Sequence, residues 1–176
     1  DFFRLFERDW LLGLLSLDLL YLVSNTLLVL VYLGLYASLR QAAESAMAVA
    51  LAFGLIGIAA YFSSNTSFEM LALANQHAAA TSDAQRSIFL AAGEAMLATY
   101  KGTAFDVYYV LNGIALLVLS AVMLRSRDFG RATAWVGLLA GVLMAVPSTA
   151  GTIGLSFAIA SLVPWAVFSV VIARRL

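Results

Sequence analysis

Ile153-Gly-Leu-Ser-Phe-Ala-Ile-Ala-Ser-Leu-Val-Pro-Trp-Ala-Val-Phe-Ser-Val-Val-Ile172 contains no acidic or basic residue. It matches the ~20 apolar residues that a helix needs to cross the hydrocarbon of a bilayer. Ala104–Leu124 and Thr133–Val146 read the same way. Bilayer hydrocarbon holds no water, so a backbone inside it must satisfy its own N–H and C=O groups, and a helix does. The expected fold class is therefore all-α, a polytopic bundle of transmembrane helices. Working outward, the expected spans are about 11–39, 45–73, 104–124, 132–146 and 153–172, in one transmembrane domain over 1–176. The first stretch is either one long tilted helix or a true span from about Asp18 with an interfacial lead-in. Arg40-Gln-Ala-Ala-Glu44 forms the first turn. The embedded part of the second span ends near Ser63. Pro147-Ser-Thr-Ala-Gly151 forms the last turn.

Composition supports this reading and removes several kinds of chemistry. The chain is 63% hydrophobic and 11% charged, against roughly 25% charged in a soluble domain. It has no cysteine, which excludes disulfides, thiolate catalysis, iron–sulfur clusters and thiolate zinc sites. Its one histidine is His77, so neither a bis-histidine haem nor a multi-histidine zinc site fits within the chain. Net charge is zero and there is no basic run, so nucleic acid is not an expected partner. No cofactor or metal is expected. The expected partners are the lipid bilayer and other membrane subunits.

The opening Asp1-Phe-Phe-Arg-Leu-Phe-Glu-Arg-Asp-Trp10 mixes aromatics and charges, unlike a signal peptide. A natural N-terminus further upstream, with a sixth span, is expected. Between spans two and three, Ser82-Asp-Ala-Gln85 reads as a capping box. It opens an amphipathic helix over about 83–100. Asp83, Ser87, Glu94 and Lys101 fall on one side; Ile88, Phe89, Ala92, Met96 and Tyr100 cover much of the other. Such a helix lies flat on the membrane or packs as a cap on the spans. Arg40, Arg125, Arg127, Arg131, Arg174 and Arg175 would share one side, next to span ends. Arg4, Arg8, Arg86 and Lys101 share the other, among Asp1, Glu7, Asp9, Asp83 and Glu94. The positive-inside bias then puts the C-terminus in the cytoplasm and the amphipathic helix outside.

A carboxylate at the membrane centre costs about 2.5–3.5 kcal/mol on insertion scales, so the polar residues within the spans need a reason. Asp18 and Asn25 share one face of the first span, and Asn65 and Glu69 one face of the second. Asp106, Tyr109 and Asn112 form a stripe entering the third, and Ser148, Thr149 and Thr152 lie at the last turn. All map to the outer half. One reading is an outward polar recess, roofed by the 83–100 helix, with His77 near its rim. The other is interhelical hydrogen bonding, worth about 0.6 kcal/mol on average in membranes. Tyr21–Thr26 and Tyr61–Thr66 share the pattern Tyr-x-x-Ser-Asn-Thr. An inverted transporter repeat produces such pairs, as does chance in so biased a composition. Gly137, Gly141 and Ala145 form a small-residue stripe, and Ala46, Ala50 and Gly54 another; both let backbones approach closely. Pro164 removes a backbone bond to Ala160 and is expected to kink the fifth span.

Ser63–Ala74, Gly102–Gly113 and Leu143–Gly154 resemble a bacterial multi-pass membrane family catalogued only as a domain of unknown function. The resemblance implies about six spans and no chemistry. With no nucleophile–base pair and little extramembrane mass, a non-catalytic accessory or scaffold subunit of a larger membrane assembly is the first expectation. A carrier or receptor for a small molecule or lipid, using the outward recess, is the second. An intramembrane enzyme ranks below both. The expected location is a bacterial inner membrane.

Overall fold

The computed structural model describes residues 2–126 and 129–175. Asp1 and Arg127 of the orientation argument lie outside the described residues. The described residues form eight helices and no strand: α1 (Phe2–Arg8), α2 (Trp10–Ser16), α3 (Leu19–Ser64), α4 (Ser67–Ala79), α5 (Asp83–Tyr100), α6 (Thr103–Arg125), α7 (Arg131–Leu143) and α8 (Gly151–Ala173). Three helical stretches are long and apolar enough to cross a membrane: Leu19–Ala79, Asp83–Arg125 and Gly151–Ala173.

The 46 residues of α3 do not run straight. Ala43 leaves the helical region, with φ −163° and ψ 75°, within the polar Arg40–Glu44 stretch. The two arms fold back on each other. The Tyr32 ring packs over Gly54, and the Tyr21 and Tyr61 rings lie 5.3 Å apart. In a straight helix Tyr32 and Gly54 would be ~33 Å apart. The bundle therefore has an Ala43 end and an Asp18 end. Thr149 of the α7–α8 turn bonds Asp106 in the first turn of α6, so α7 returns the chain to the Asp18 end and α8 leaves it again.

The stretch 11–39 is not one continuous helix. Asp9 caps α2 through Leu12 N at 3.0 Å. The helix then breaks at Leu17 and Asp18 and restarts at Leu19. The helix expected to run from 45 to 73 stops at Ser64, where Asn65 turns extended. Helix α7 ends at Leu143, short of residue 146. At about 20 Å it is shorter than a bilayer core. Helix α8 stays helical through Pro164.

Two hydrophobic cores result. The first joins both arms of α3 to α6, α7 and α8 through residues such as Leu35, Leu39, Met47, Leu119, Met123 and Phe168. The second is a cap of short helices at the Asp18 end. There Phe3, Phe6, Leu14 and Leu17 pack on Met70 and Ala74, with Phe89, Met96 and Leu97 of α5 against them. Ser82 caps α5 by accepting from Gln85 N, and Gln85 Oε1 accepts from Thr81 N, one residue earlier than a capping box would use. Phe89, Gly93, Met96 and Leu97 face the cap, whereas Ile88 is exposed.

Candidate functional site

The expected polar residues do not converge on one recess. They divide into local hydrogen-bonded groups, each with its own structural task. Asn65 Nδ2 donates to Leu17 O at 3.2 Å, and Ser67 Oγ donates to the same carbonyl. The carbonyl freed where α2 stops is thus satisfied by side chains from the gap between α3 and α4, as a helix end in an apolar setting requires. Asp18 accepts a hydrogen bond from the Tyr100 hydroxyl, tying the α2–α3 break to the end of α5. Asp106 accepts from Thr149 Oγ1 at 2.6 Å. Glu69 is exposed on α4, in its first turn, where a negative charge suits the helix dipole. His77 packs at a tilt against Phe3 with ring centroids 5.2 Å apart, and its Nδ1 lies 3.5 Å from Glu7 Oε1, within the cap and not at a recess rim.

Asn25 and Asn112 are both buried within the bundle. Asn25 Nδ2 donates to Tyr21 O at 2.9 Å. Asn112 is saturated more fully. Its Oδ1 accepts from the Tyr32 hydroxyl at 2.7 Å, and its Nδ2 donates to Tyr108 O at 2.9 Å. Gly57 makes that possible, because a Cβ there would sit 2.4 Å from Asn112 Nδ2. The rings of Tyr21, Tyr61, Tyr108 and Phe105 surround this region, with centroids 5.0–6.4 Å apart. Such spacing is that of favourable edge and offset contacts.

The Tyr-x-x-Ser-Asn-Thr pair is not an inverted repeat. Inversion would send the two copies to opposite ends of the hairpin, whereas Tyr21 and Tyr61 touch at the same end. Nor do the copies do the same work: Asn25 sits inside a helix and Asn65 ends one. The small-residue stripes are spent within the chain. Gly137 faces Ser120 and Phe168, Gly141 faces Leu117 and the Gly113 carbonyl, and Gly54 faces Tyr32. Ala50 is buried, Ala46 packs at the edge of the core, and Ala145 is exposed beyond the end of α7.

What the structure does form is a cleft. The first arm of α3 and α8 stand on either side of a cavity of about 440 Å³, floored by α6. It runs from Tyr21 and Ser148 at the Asp18 end to Leu35 and Ile172 toward the other. Leu27 and Leu162, both exposed, stand at its mouth. Leu28, Leu116, Trp165 and Phe168 supply apolar wall. Tyr109, Asn112 and Ser148 of the expected recess line it; Asp18, Asn25, Asn65, Glu69, Asp106 and Thr149 do not. Sequence reasoning missed Ser24, Tyr32, Ser161 and Ser169, which also line it. Their signal was a hydroxyl inside an apolar run, which by itself does not tell which way a helix turns. Among the described residues, no three His, Asp or Glu side chains gather as a metal site would.

The family described as a domain of unknown function, DUF4386, matches residues 7–174. The chain belongs to that family. No curated protein and no solved structure matches it. The match in this DUF4386 chain takes in the cleft, both arms of α3 and all of the cap except its first residues.

Proposed function

We propose that the protein is a non-catalytic, multi-pass integral membrane protein that receives a small hydrophobic molecule from the bilayer in the cleft between α3 and α8. The single observation that carries this reading is the cavity itself. At about 440 Å³ it lies within the roughly 300–1,000 Å³ range of small-molecule sites. Its walls are mainly apolar, its Tyr32, Tyr109, Asn112 and Ser161 side chains are held by hydrogen bonds, and its mouth lies between two apolar helices. The chain would cross the membrane five times, by the two arms of α3 and by α6, α7 and α8. The arginines of the Ala43 end favour a cytoplasmic C-terminus, with the cap outside. The membrane proposed is a bacterial inner membrane. The alternative is an accessory or scaffold subunit; a partner helix would have to use other surface, because Gly137 and Gly141 are covered by α6 and α8 and Gly54 by Tyr32 of α3.

The test is occupancy. The protein would be purified into nanodiscs from its native membrane and analysed by native mass spectrometry, beside Ala158→Phe, which fills the cleft. The wild type should carry a small hydrophobic molecule that the variant lacks. Equal occupancy in both would place the bound molecule elsewhere and end this reading.

A further inference from the structure

Helix α3 offers Ser24 to the cleft, α6 offers Tyr109 and Asn112, and α8 offers Ser161 and Ser169, with Ser148 on the turn before it. Every one of these groups is uncharged. Among the described residues, no Asp, Glu, His, Lys or Arg lines the cavity. The carboxylates nearest in sequence are engaged elsewhere, Asp18 by Tyr100 and Asp106 by Thr149. We infer that the ligand is itself uncharged: a lipophilic molecule bearing a hydroxyl or carbonyl group and no ionised head. The inference rests on the cleft being a binding site.

The physical argument is desolvation. A charged head drawn into this cavity would lose its water and meet no counter-charge, at a large cost. A hydroxyl or carbonyl would lose far less and can be repaid by hydrogen bonds already positioned. The Tyr109 hydroxyl and Ser161 Oγ are 3.2 Å apart, joining α6 to α8. Ser161 Oγ also donates to Ala158 O at 2.7 Å, which leaves the Tyr109 proton for Ser161 and the remaining tyrosine lone pair for a ligand. The hydroxyls of Ser24, Ser148 and Ser169 have no hydrogen-bond partner among the described residues. Elsewhere in the helices Thr26, Ser38 and Ser156 bond back to the carbonyl four residues earlier, the usual resort of a hydroxyl in an apolar helix. Three hydroxyls left unspent along one cavity can each donate to a carbonyl or accept from an alcohol.

Binding would be read from Trp165, which lines the cleft, after Trp10→Phe and Trp135→Phe remove the exposed indoles. The probes are tetradecane, 1-tetradecanol and tetradecanoate, titrated in neutral detergent at a pH where the acid is ionised. The alcohol should bind at least about tenfold more tightly than the carboxylate. Tyr109→Phe combined with Ser161→Ala should weaken the alcohol about three- to tenfold and leave tetradecane unchanged. Equal affinity for alcohol and carboxylate would overturn the uncharged ligand while leaving the cleft as a site. No response to any of the three probes would overturn the cleft as well.

Discussion

Asp18 is the one described residue other than glycine with a left-handed backbone, at φ 63° and ψ 30°. That conformation costs most L residues roughly 1–2 kcal/mol, and Asp and Asn bear it best after glycine. Its carboxylate also holds the Tyr100 hydroxyl. Asp18→Asn keeps the backbone preference and weakens the bond, so it should cost about 1 kcal/mol; Asp18→Ala loses both and should cost about 2–3 kcal/mol. Thermal unfolding in detergent measures the difference, and two variants melting together would mean that the backbone conformation is not what Asp18 supplies. Gly57→Ala pushes a methyl into Asn112 Nδ2 and should cost about 1–3 kcal/mol by disrupting its bond to the Tyr108 carbonyl. Glu69→Gln, on an exposed side chain, should change stability by less than about 0.5 kcal/mol. These residues mark where the sequence was readable. A polar residue in an apolar run announces that it has a partner. It does not announce which partner, because Tyr32 and Asn112 are far apart in the chain and only the packing of α3 on α6 joins them.

At the scale of elements, hydropathy located the helices well and their ends less well. The start of α5 follows from Ser82 and its capping bond, a local signal. The break at Leu17 and Asp18 lies inside an apolar stretch, where composition alone cannot separate one long helix from two. It exists because Asn65 and Ser67, remote in sequence, satisfy the Leu17 carbonyl. The same limit hid the cleft, which is a property of how α3 and α8 are spaced and of neither helix by itself. The α6–α7 contact gives a sharper expectation. A Cβ on Gly141 would lie 2.7 Å from Leu117 and 3.2 Å from the Gly113 carbonyl. Gly141→Leu should therefore lower stability by about 3 kcal/mol or more, whereas Ala145→Leu, exposed past the helix end, should stay within about 0.5 kcal/mol. Chemical denaturation of the two variants side by side decides it; similar losses would mean that the stripe continues through residue 145.

For the molecule as a whole, the Ala43 end and the cap should stand on opposite sides of the membrane. The chain has no native thiol, so single cysteines report cleanly. Ser82→Cys should react with an impermeant maleimide in intact cells and Glu44→Cys only after permeabilisation; the reverse pattern would invert the orientation. The two cores also bear on how the protein is made. The cap draws Phe3, Phe6, Leu14 and Leu17 from before α3, and Met70, Ala74, Phe89 and Met96 from after it. The whole 46-residue hairpin lies between the two halves. At about 5–20 residues per second, roughly 4–17 s of synthesis separate Leu17 from Tyr100. Until α4 follows, the early helices have only each other to bury against, and Trp10, Leu11 and Leu12 stay exposed even in the finished structure. The bilayer surface is the natural waiting place for these apolar side chains until α4, and then α5, complete the cap.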